Sequence, residues 1–276
     1  MRFLKFRGAS GLQLSCIDYG GEGGVPVLLM HGAAAHSRWW DFTAPALTAR
    51  HHVLALDRRG HGDSQWADSE QYEIEHYAAD LHAVISDWGL GKPFLVAHSG
   101  GGLPSIMYAA RYPESVRGLV LIETRPVYDE EMVARMRNRE ERPPRTFATL
   151  EEALASFRLT PPTAGAPPEM VAHLARHSFR RLGDERWINK LDRRTGRRLH
   201  AFDGIQWMAR VTCPVLVVRA GRTNMVEPEA SVRLAAAAAH GALVEIPNAE
   251  HQVILDSADE VIRILQEFLQ RNGESQ

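Results

Sequence analysis

The sequence predicts an α/β fold: a doubly wound, mostly parallel sheet with an inserted helical cap. Three observations lead there. Short apolar runs recur along the chain and are continuous rather than alternating, the mark of strands buried on both faces of a parallel sheet. Helical stretches separate them, as crossover connections require. One interval of more than ninety residues, between the runs at 119–122 and 215–219, breaks this rhythm and carries no strand pattern.

Taken in order, Phe3–Arg7 and Gln13–Tyr19 read as an antiparallel hairpin at one edge of the sheet. The parallel strands are Val27–Met30, Val53–Leu56, Phe94–Ala97, Leu119–Ile122, Val215–Arg219 and Leu243–Ile246. Helices are expected near Arg38–Leu47, Ile74–Trp88, Ser99–Arg111, Glu229–His240 and Ala258–Gln270. The long interval reads as helices at Asp129–Arg139, Leu150–Arg158, Glu169–Leu182, Glu185–Leu191 and Phe202–Arg210, separated by Pro143-Pro144, Pro161-Pro162 and Pro167-Pro168. The expected division is therefore a core of residues 1–123 and 211–276 and a cap of residues 124–210. Residues 125–210 contain sixteen Arg and one Lys against twelve acids, about +5, which leaves the remainder near −7. A solvated helical surface accounts for most of that charge; some cap arginines facing a cleft would attract a carboxylate-bearing substrate.

Composition narrows the function classes. The 276 residues are 45% hydrophobic and 24% charged with net charge −2, ordinary globular values that give no bulk attraction to nucleic acid. Cys16 and Cys213 form neither a C-x-x-C pair nor a metal spacing and read as small core residues. The stretch MRFLKFRGASGLQL lacks a signal-peptide h-region, and no run approaches the ~18 apolar residues of a membrane helix. The expectation is a cytoplasmic protein, monomer or homodimer, acting on a small molecule without metal, cofactor, nucleic acid or membrane.

The chemistry-bearing signal is LVAHSGGGLP at 95–104, where a strand ends at Ala97, Ser99 follows in a glycine-rich turn and a helix begins at once. This is the form of a nucleophile elbow. Small residues two before and two after the serine, here Ala97 and Gly101, let the backbones approach, and the Gly100 N–H at the helix start can donate to a developing oxyanion. Upstream lie VLLMHGAAAHSRWW, with His31-Gly32 at a strand end, and VLALDRRGHGDS at 53–64. Downstream, IPNAEHQVILDSADEVIRIL places His251 after the last strand.

With these four segments in this order, the chain resembles the α/β-hydrolase family along nearly its whole length. The resemblance implies Ser99 as nucleophile, His251 as its general base, and the backbone N–H groups of Ala33 and Gly100 as the oxyanion hole. His31 and His98 border the substrate region, although hydrogen bonding that shapes loops is the favoured role of His31 and of His61. A serine hydroxyl needs a base to take its proton, histidine suits that task, and a third group must orient the imidazole and stabilise the imidazolium. The family usually places an aspartate in the turn after the strand at 215–219. Here that turn reads RAGRTNMVEPE, with Asn224 at the matching position. Glu123, just past the strand at 119–122, is the candidate replacement, because some members keep their acid at that strand end. The alternative is a pairing of Glu123 with Arg125 or a cap arginine. Glu227 and Glu229 suit the first turn of the next helix.

Trp39 and Trp40 read as core anchors, Trp187 and Trp207 as substrate-pocket candidates. The resulting reading is a serine hydrolase of carboxylesterase or lactonase type, cleaving a small ester or lactone, carboxylate-bearing or aromatic. Carbon–carbon bond hydrolysis, cofactor-free oxygenation and non-catalytic ligand binding on the same scaffold are the alternatives. Dehalogenation is disfavoured because those enzymes carry aspartate at the elbow.

Overall fold

A computed structural model of the chain describes residues 1–89, 91–140, 143–196 and 199–273. Its main sheet has eight strands: β1 (Arg2–Arg7), β2 (Gln13–Gly20), β3 (Val25–Met30), β4 (His51–Leu56), β5 (Phe94–His98), β6 (Gly118–Ile122), β7 (Val215–Ala220) and β8 (Gly241–Ile246), in the order β1-β2-β4-β3-β5-β6-β7-β8. β1 and β2 pair antiparallel with each other, β2 pairs antiparallel with β4, and every pairing from β4 to β8 is parallel.

Successive side chains along a strand point to opposite faces. In β5, Leu95 and Ala97 join one apolar cluster, and Phe94 and Val96 join the other. In β6, Leu119 and Leu121 face the first while Val120 and Ile122 face the second. The apolar runs are continuous because both faces are covered. Helices α1 (Ile74–Trp88) and α2 (Gly102–Arg111) pack on the first face, where Leu81, Val84, Ile106 and Met107 are buried. Trp39 and Trp40, in a short 3-10 turn, are sealed into the second. The expected helix at Arg38–Leu47 is two such turns, Ser37–Trp40 and Ala44–Leu47.

The segment between β6 and β7 contains helices α3 (Glu130–Glu140), α4 (Leu150–Ser156), α5 (Pro168–His177) and α6 (Gly204–Met208). It also contains strands, which corrects the all-helical expectation. Thr146–Phe147, Trp187–Asn189 and Phe179–Arg181 form a three-stranded sheet, and Val127–Tyr128 pairs with Phe202–Asp203 at the stem. The expected helix at Glu169–Leu182 thus stops at His177, and the one at Glu185–Leu191 is a strand. Turn chemistry explains the difference. Gly183-Asp184-Glu185 closes a hairpin in which Leu182 N–H donates to Arg186 O at 2.7 Å and Glu185 takes φ +67°. After Ala220 the chain continues into α7 (Pro228–Ala237), and after β8 into α8 (Val253–Asp256) and α9 (Ala258–Gly273). Among the described residues no helix is long and apolar enough to cross a membrane.

One loop shows how tightly the sheet's carboxyl edge is fixed. Asp57, just past β4, accepts from the N–H groups of Ser37 and Asp63 at 2.6 and 2.9 Å. Gly62, at φ +54°, lets the backbone curl around that carboxylate; a Cβ there would lie 2.3 Å from Asp57 Cγ. Gly89 also has positive φ, +69°, but opens on space. Gly89→Ala should cost about 1 kcal/mol of backbone strain. Gly62→Ala adds a collision and should cost at least about 2 kcal/mol in urea unfolding. Equal losses would show that the Asp57 contact does not constrain the loop.

Candidate active site

Ser99 directly follows β5, at φ +48°, a left-handed conformation that non-glycine residues adopt only under local constraint. The chain leaves the strand, passes through one 3-10 turn at Ser99–Gly101, and enters α2. The turn is possible because its neighbours are small. A Cβ on Gly101 would sit 2.8 Å from His31 O, and one on Gly32 would sit 3.2 Å from Ser99 Cβ. A Cβ on Gly100 would approach Ala33 N to 2.9 Å. Gly100 and Ala33, the two oxyanion-hole candidates, therefore meet backbone to backbone beside the serine.

His251 Nε2 lies 2.9 Å from Ser99 Oγ, and His251 Nδ1 lies 2.9 Å from Glu123 Oε2. The consistent tautomer donates Nδ1–H to the carboxylate and accepts the serine O–H at Nε2. Glu123 is 1% exposed and its other oxygen, Oε1, accepts the Ala220 N–H at 2.7 Å. Its own N–H donates to Val218 O at 2.8 Å, and its φ of +51° turns the side chain across the end of β7 toward the histidine loop. Asn224 is exposed in the turn after β7. Glu123, not Asn224, holds the imidazole, and Arg125 instead donates to the Met225 carbonyl.

The surrounding histidines are wired to backbone. His31 bonds Gly32 O through Nδ1 at 2.8 Å and accepts the Arg58 N–H at Nε2 at 3.0 Å. His61 bonds Arg59 O through Nδ1 at 2.9 Å. His98 Nε2 donates to the His251 carbonyl at 2.9 Å, so it holds the base's main chain. Burial pushes His36 and His98 down to about 3, and pushes His31 and His61 well below the ordinary imidazole value. All four are neutral at physiological pH. His31 and His98 thus act as loop fasteners and do not line the cavities described below.

A cavity of about 120 Å³ adjoins the oxyanion-hole candidates, lined on the core side by Ala33, Arg58 and Gly100 and on the inserted side by Tyr128, Leu191 and Leu199. A second, of about 370 Å³, lies among inserted residues including Arg145, Phe157 and Ile188. Both share Ala34 and Leu191. Neither is lined by Trp187 or Trp207, which corrects that expectation. Trp187 pairs in register with Phe147 and Arg181 in the small inserted sheet, and Trp207 packs with the guanidinium groups of Arg111 and Arg210 and stacks on Phe202.

Arg58 is the site residue that sequence reading missed. Its Nη2 donates to Gly32 O at 3.0 Å and its Nη1 to Gly100 O at 2.9 Å. Gly32 O belongs to the same peptide unit as the Ala33 N–H, so a cation bonded to that oxygen orients and polarises the donor on its other side. The neighbouring Arg59 differs: it forms a buried ion pair with Asp80 at 2.6 Å. Among the described residues no cluster of side chains has metal-ligand character.

A family model described as alpha/beta hydrolase fold matches residues 25–258. An esterase of Mycobacterium tuberculosis is 29% identical over 269 residues, covering 93% of this chain and 86% of the relative. The 2-(acetamidomethylene)succinate hydrolase of Mesorhizobium japonicum is 26% identical over 261 residues, covering 90% and 89%. A crystal structure of E-2-(acetamidomethylene)succinate hydrolase superposes with TM-score 0.83 at 24% identity, covering 98% and 100%, a likeness of fold.

Two predictions follow from the geometry. Glu123→Gln keeps the shape and removes the charge that favours imidazolium formation, so turnover should fall by roughly three to four orders of magnitude with KM little changed. Asn224→Ala should change turnover less than about twofold, since an exposed substitution away from the imidazole alters nothing that touches the reacting atoms. Full activity in Glu123→Gln would overturn the assignment. The second concerns acid. In the unfolded chain the four buried histidines titrate near the ordinary value of about 6.5. Their stabilising contribution is complete above that pH and is lost progressively as pH falls below it, because only the unfolded chain accepts the protons. The urea midpoint should drop between pH 7 and pH 5; a flat profile would contradict the neutral assignment.

Proposed function

Because the chain belongs to the α/β-hydrolase family, we propose that it is a serine hydrolase that cleaves a small ester or lactone through an acyl-enzyme. The observation that carries this reading is the continuous line from Glu123 through His251 to Ser99, with both contacts at 2.9 Å. His251 Nε2 takes the serine proton as Oγ attacks the substrate carbonyl carbon. The carbonyl oxygen becomes an oxyanion facing the Ala33 and Gly100 N–H groups, and the Glu123 carboxylate stabilises the imidazolium. Collapse of the tetrahedral species breaks the bond to the alkoxy oxygen, which receives the proton from Nε2. Water, deprotonated by the same nitrogen, then attacks the Ser99 ester, and the acid leaves with Ser99 restored.

The inserted segment 124–210 acts in this reading as the cap that selects substrate, since its Tyr128, Leu191 and Leu199 close the cavity beside the oxyanion-hole candidates. The similarity to an esterase and to a 2-(acetamidomethylene)succinate hydrolase supports hydrolysis. The complete triad geometry favours it over a binding role.

A fluorophosphonate probe should label the wild-type protein at Ser99 and leave Ser99→Ala unlabelled. On a panel of short esters and lactones, Ser99→Ala and His251→Ala should each lose several orders of magnitude in kcat, and the double variant should be little worse than either. An unlabelled wild type, or near-full hydrolysis by Ser99→Ala, would sink the acyl-enzyme mechanism.

A further inference from the structure

We propose that the cavity beside Ala33 and Gly100 receives the acyl arm of a monoester of a short dicarboxylic acid, with Arg58 as the partner of its free carboxylate. The inference rests on the hydrolase reading above and names the substrate class that reading leaves open.

The first observation is an uncompensated charge. Arg58 is 5% exposed, and among the described residues no carboxylate pairs with it. Of its five N–H donors, one on each terminal nitrogen serves a backbone carbonyl, and His61 Nε2 lies farther off at 3.4 Å from Nη2. Nε–H is buried with no partner. The Tyr77 ring, whose centroid is 5.1 Å from Arg58 Cζ, offers softer compensation. Burial lowers the Arg58 pKa, and the opposing contributions come from Tyr77 and Tyr128 rather than from an acid. A buried cation without a counter-ion is expensive, and each unmade hydrogen bond adds to the cost. The contrast with Arg59 is direct, since the adjacent guanidinium donates to both oxygens of Asp80 at 2.6 and 2.7 Å.

The second observation is the cavity itself. Among the described residues Arg58 is its one charged lining residue, set among Ile74, Leu103, Pro104 and Leu199, with no acid in the lining. His61 also borders it, held neutral by burial. A mostly apolar cavity with a cation at its wall fits a short aliphatic arm that ends in an anion. Its size sets the length. A 150 Å³ cavity accommodates the six carbons of benzene, so about 120 Å³ takes about five heavy atoms, two methylenes and a carboxylate.

The third observation assigns the arm. The leaving alkoxy oxygen must face His251 Nε2 to receive its proton. The cavity is lined by Ala33 and Gly100 but not by His251 or Glu123. The substituent that enters it points away from the base, which makes it the acyl arm.

The test compares kcat/KM on monoethyl succinate with that on ethyl 4-methylpentanoate, in which an isopropyl group replaces the carboxylate at equal heavy-atom count. Wild type should prefer the anion by about a hundredfold, the scale at which a buried charge partner discriminates. Arg58→Met should abolish the preference, and Arg58→Lys should keep part of it, because the charge remains without the planar fork. The ratio is the readout, since Arg58 also holds the Gly32 and Gly100 carbonyls and its loss slows both esters. A wild-type ratio near one, an unchanged ratio in Arg58→Met, or a preference for the acetate ester of glycolate, with its charge in the alkoxy arm, would overturn the proposal. Should Arg58→Met not fold, the wild-type ratio and Arg58→Lys still decide. Thermal unfolding of Ser99→Ala separates this proposal from the hydrolase reading. Monoethyl succinate should raise its Tm, the neutral isostere should not, and the shift should vanish in Ser99→Ala combined with Arg58→Met and persist in part in Ser99→Ala combined with Arg58→Lys. Binding without turnover of any ester by wild type would retain the site and remove the hydrolase; turnover without preference would do the reverse.

Discussion

The site depends on one buried carboxylate with two obligations. Glu123 receives the imidazole N–H of His251 through one oxygen and the backbone N–H of Ala220 through the other. The second bond ties the carboxylate to the end of β7, so its direction is set by the sheet rather than by rotation of a long side chain. A free glutamate would lose rotamer entropy each time it met the histidine. Here that loss is incurred on folding, and the acceptor is in place before a substrate arrives. The left-handed backbone at Glu123 is part of the same arrangement, because it sends the side chain sideways across the strand ends.

Around this line, the protein uses groups that do not ionise in the reaction to hold those that do. His98 fixes the main chain of His251, while His31 and Arg58 fix the Gly32 carbonyl from two directions. Burial keeps the imidazoles neutral, so each presents one donor and one acceptor, which backbone groups can match. Arg58 is the exception. It is a permanent cation beside the candidate oxyanion loop, and in our proposal it combines the holding of the Gly32 and Gly100 carbonyls with the binding of a substrate carboxylate. The two roles are compatible because guanidinium donors radiate in a plane and can serve the loop on one edge and a ligand on another.

Much of this was legible in the sequence because a doubly wound sheet brings strand ends together. Once β5 and β6 were recognised as neighbours with Ser99 and Glu123 just past their ends, and His251 just past β8, their convergence followed from topology. The loss of charge at Asn224 was itself the clue to Glu123. Less was legible where local signals compete. The hairpin from Phe179 to Asn189 was hidden because its strands are three residues each, too short to show a period of two, and its flanks are good helix formers. Trp187 and Trp207 suit a pocket by their chemistry, but a side chain's direction depends on packing that composition does not carry. Arg58 and Arg59 are identical in type and adjacent, and only the position of Asp80 separates the paired one from the unpaired one.

Placing the acid at the end of β6 changes how the chain is laid out. Ala97 and His98 pair in register with Leu121 and Ile122, so the spacing between Ser99 and Glu123, the proposed nucleophile and acid, is set by two adjacent strands with α2 between them. Both groups precede the inserted segment, and only the histidine lies beyond it. In members with the acid after β7, the insertion separates nucleophile from acid, and any change in its length falls between them. Here it does not. The inserted segment is therefore free to lengthen, shorten or be exchanged for another during evolution, with the nucleophile–acid distance kept by neighbouring strands. The exposed turn that carries Asn224 has no part in the proposed triad and can drift as well.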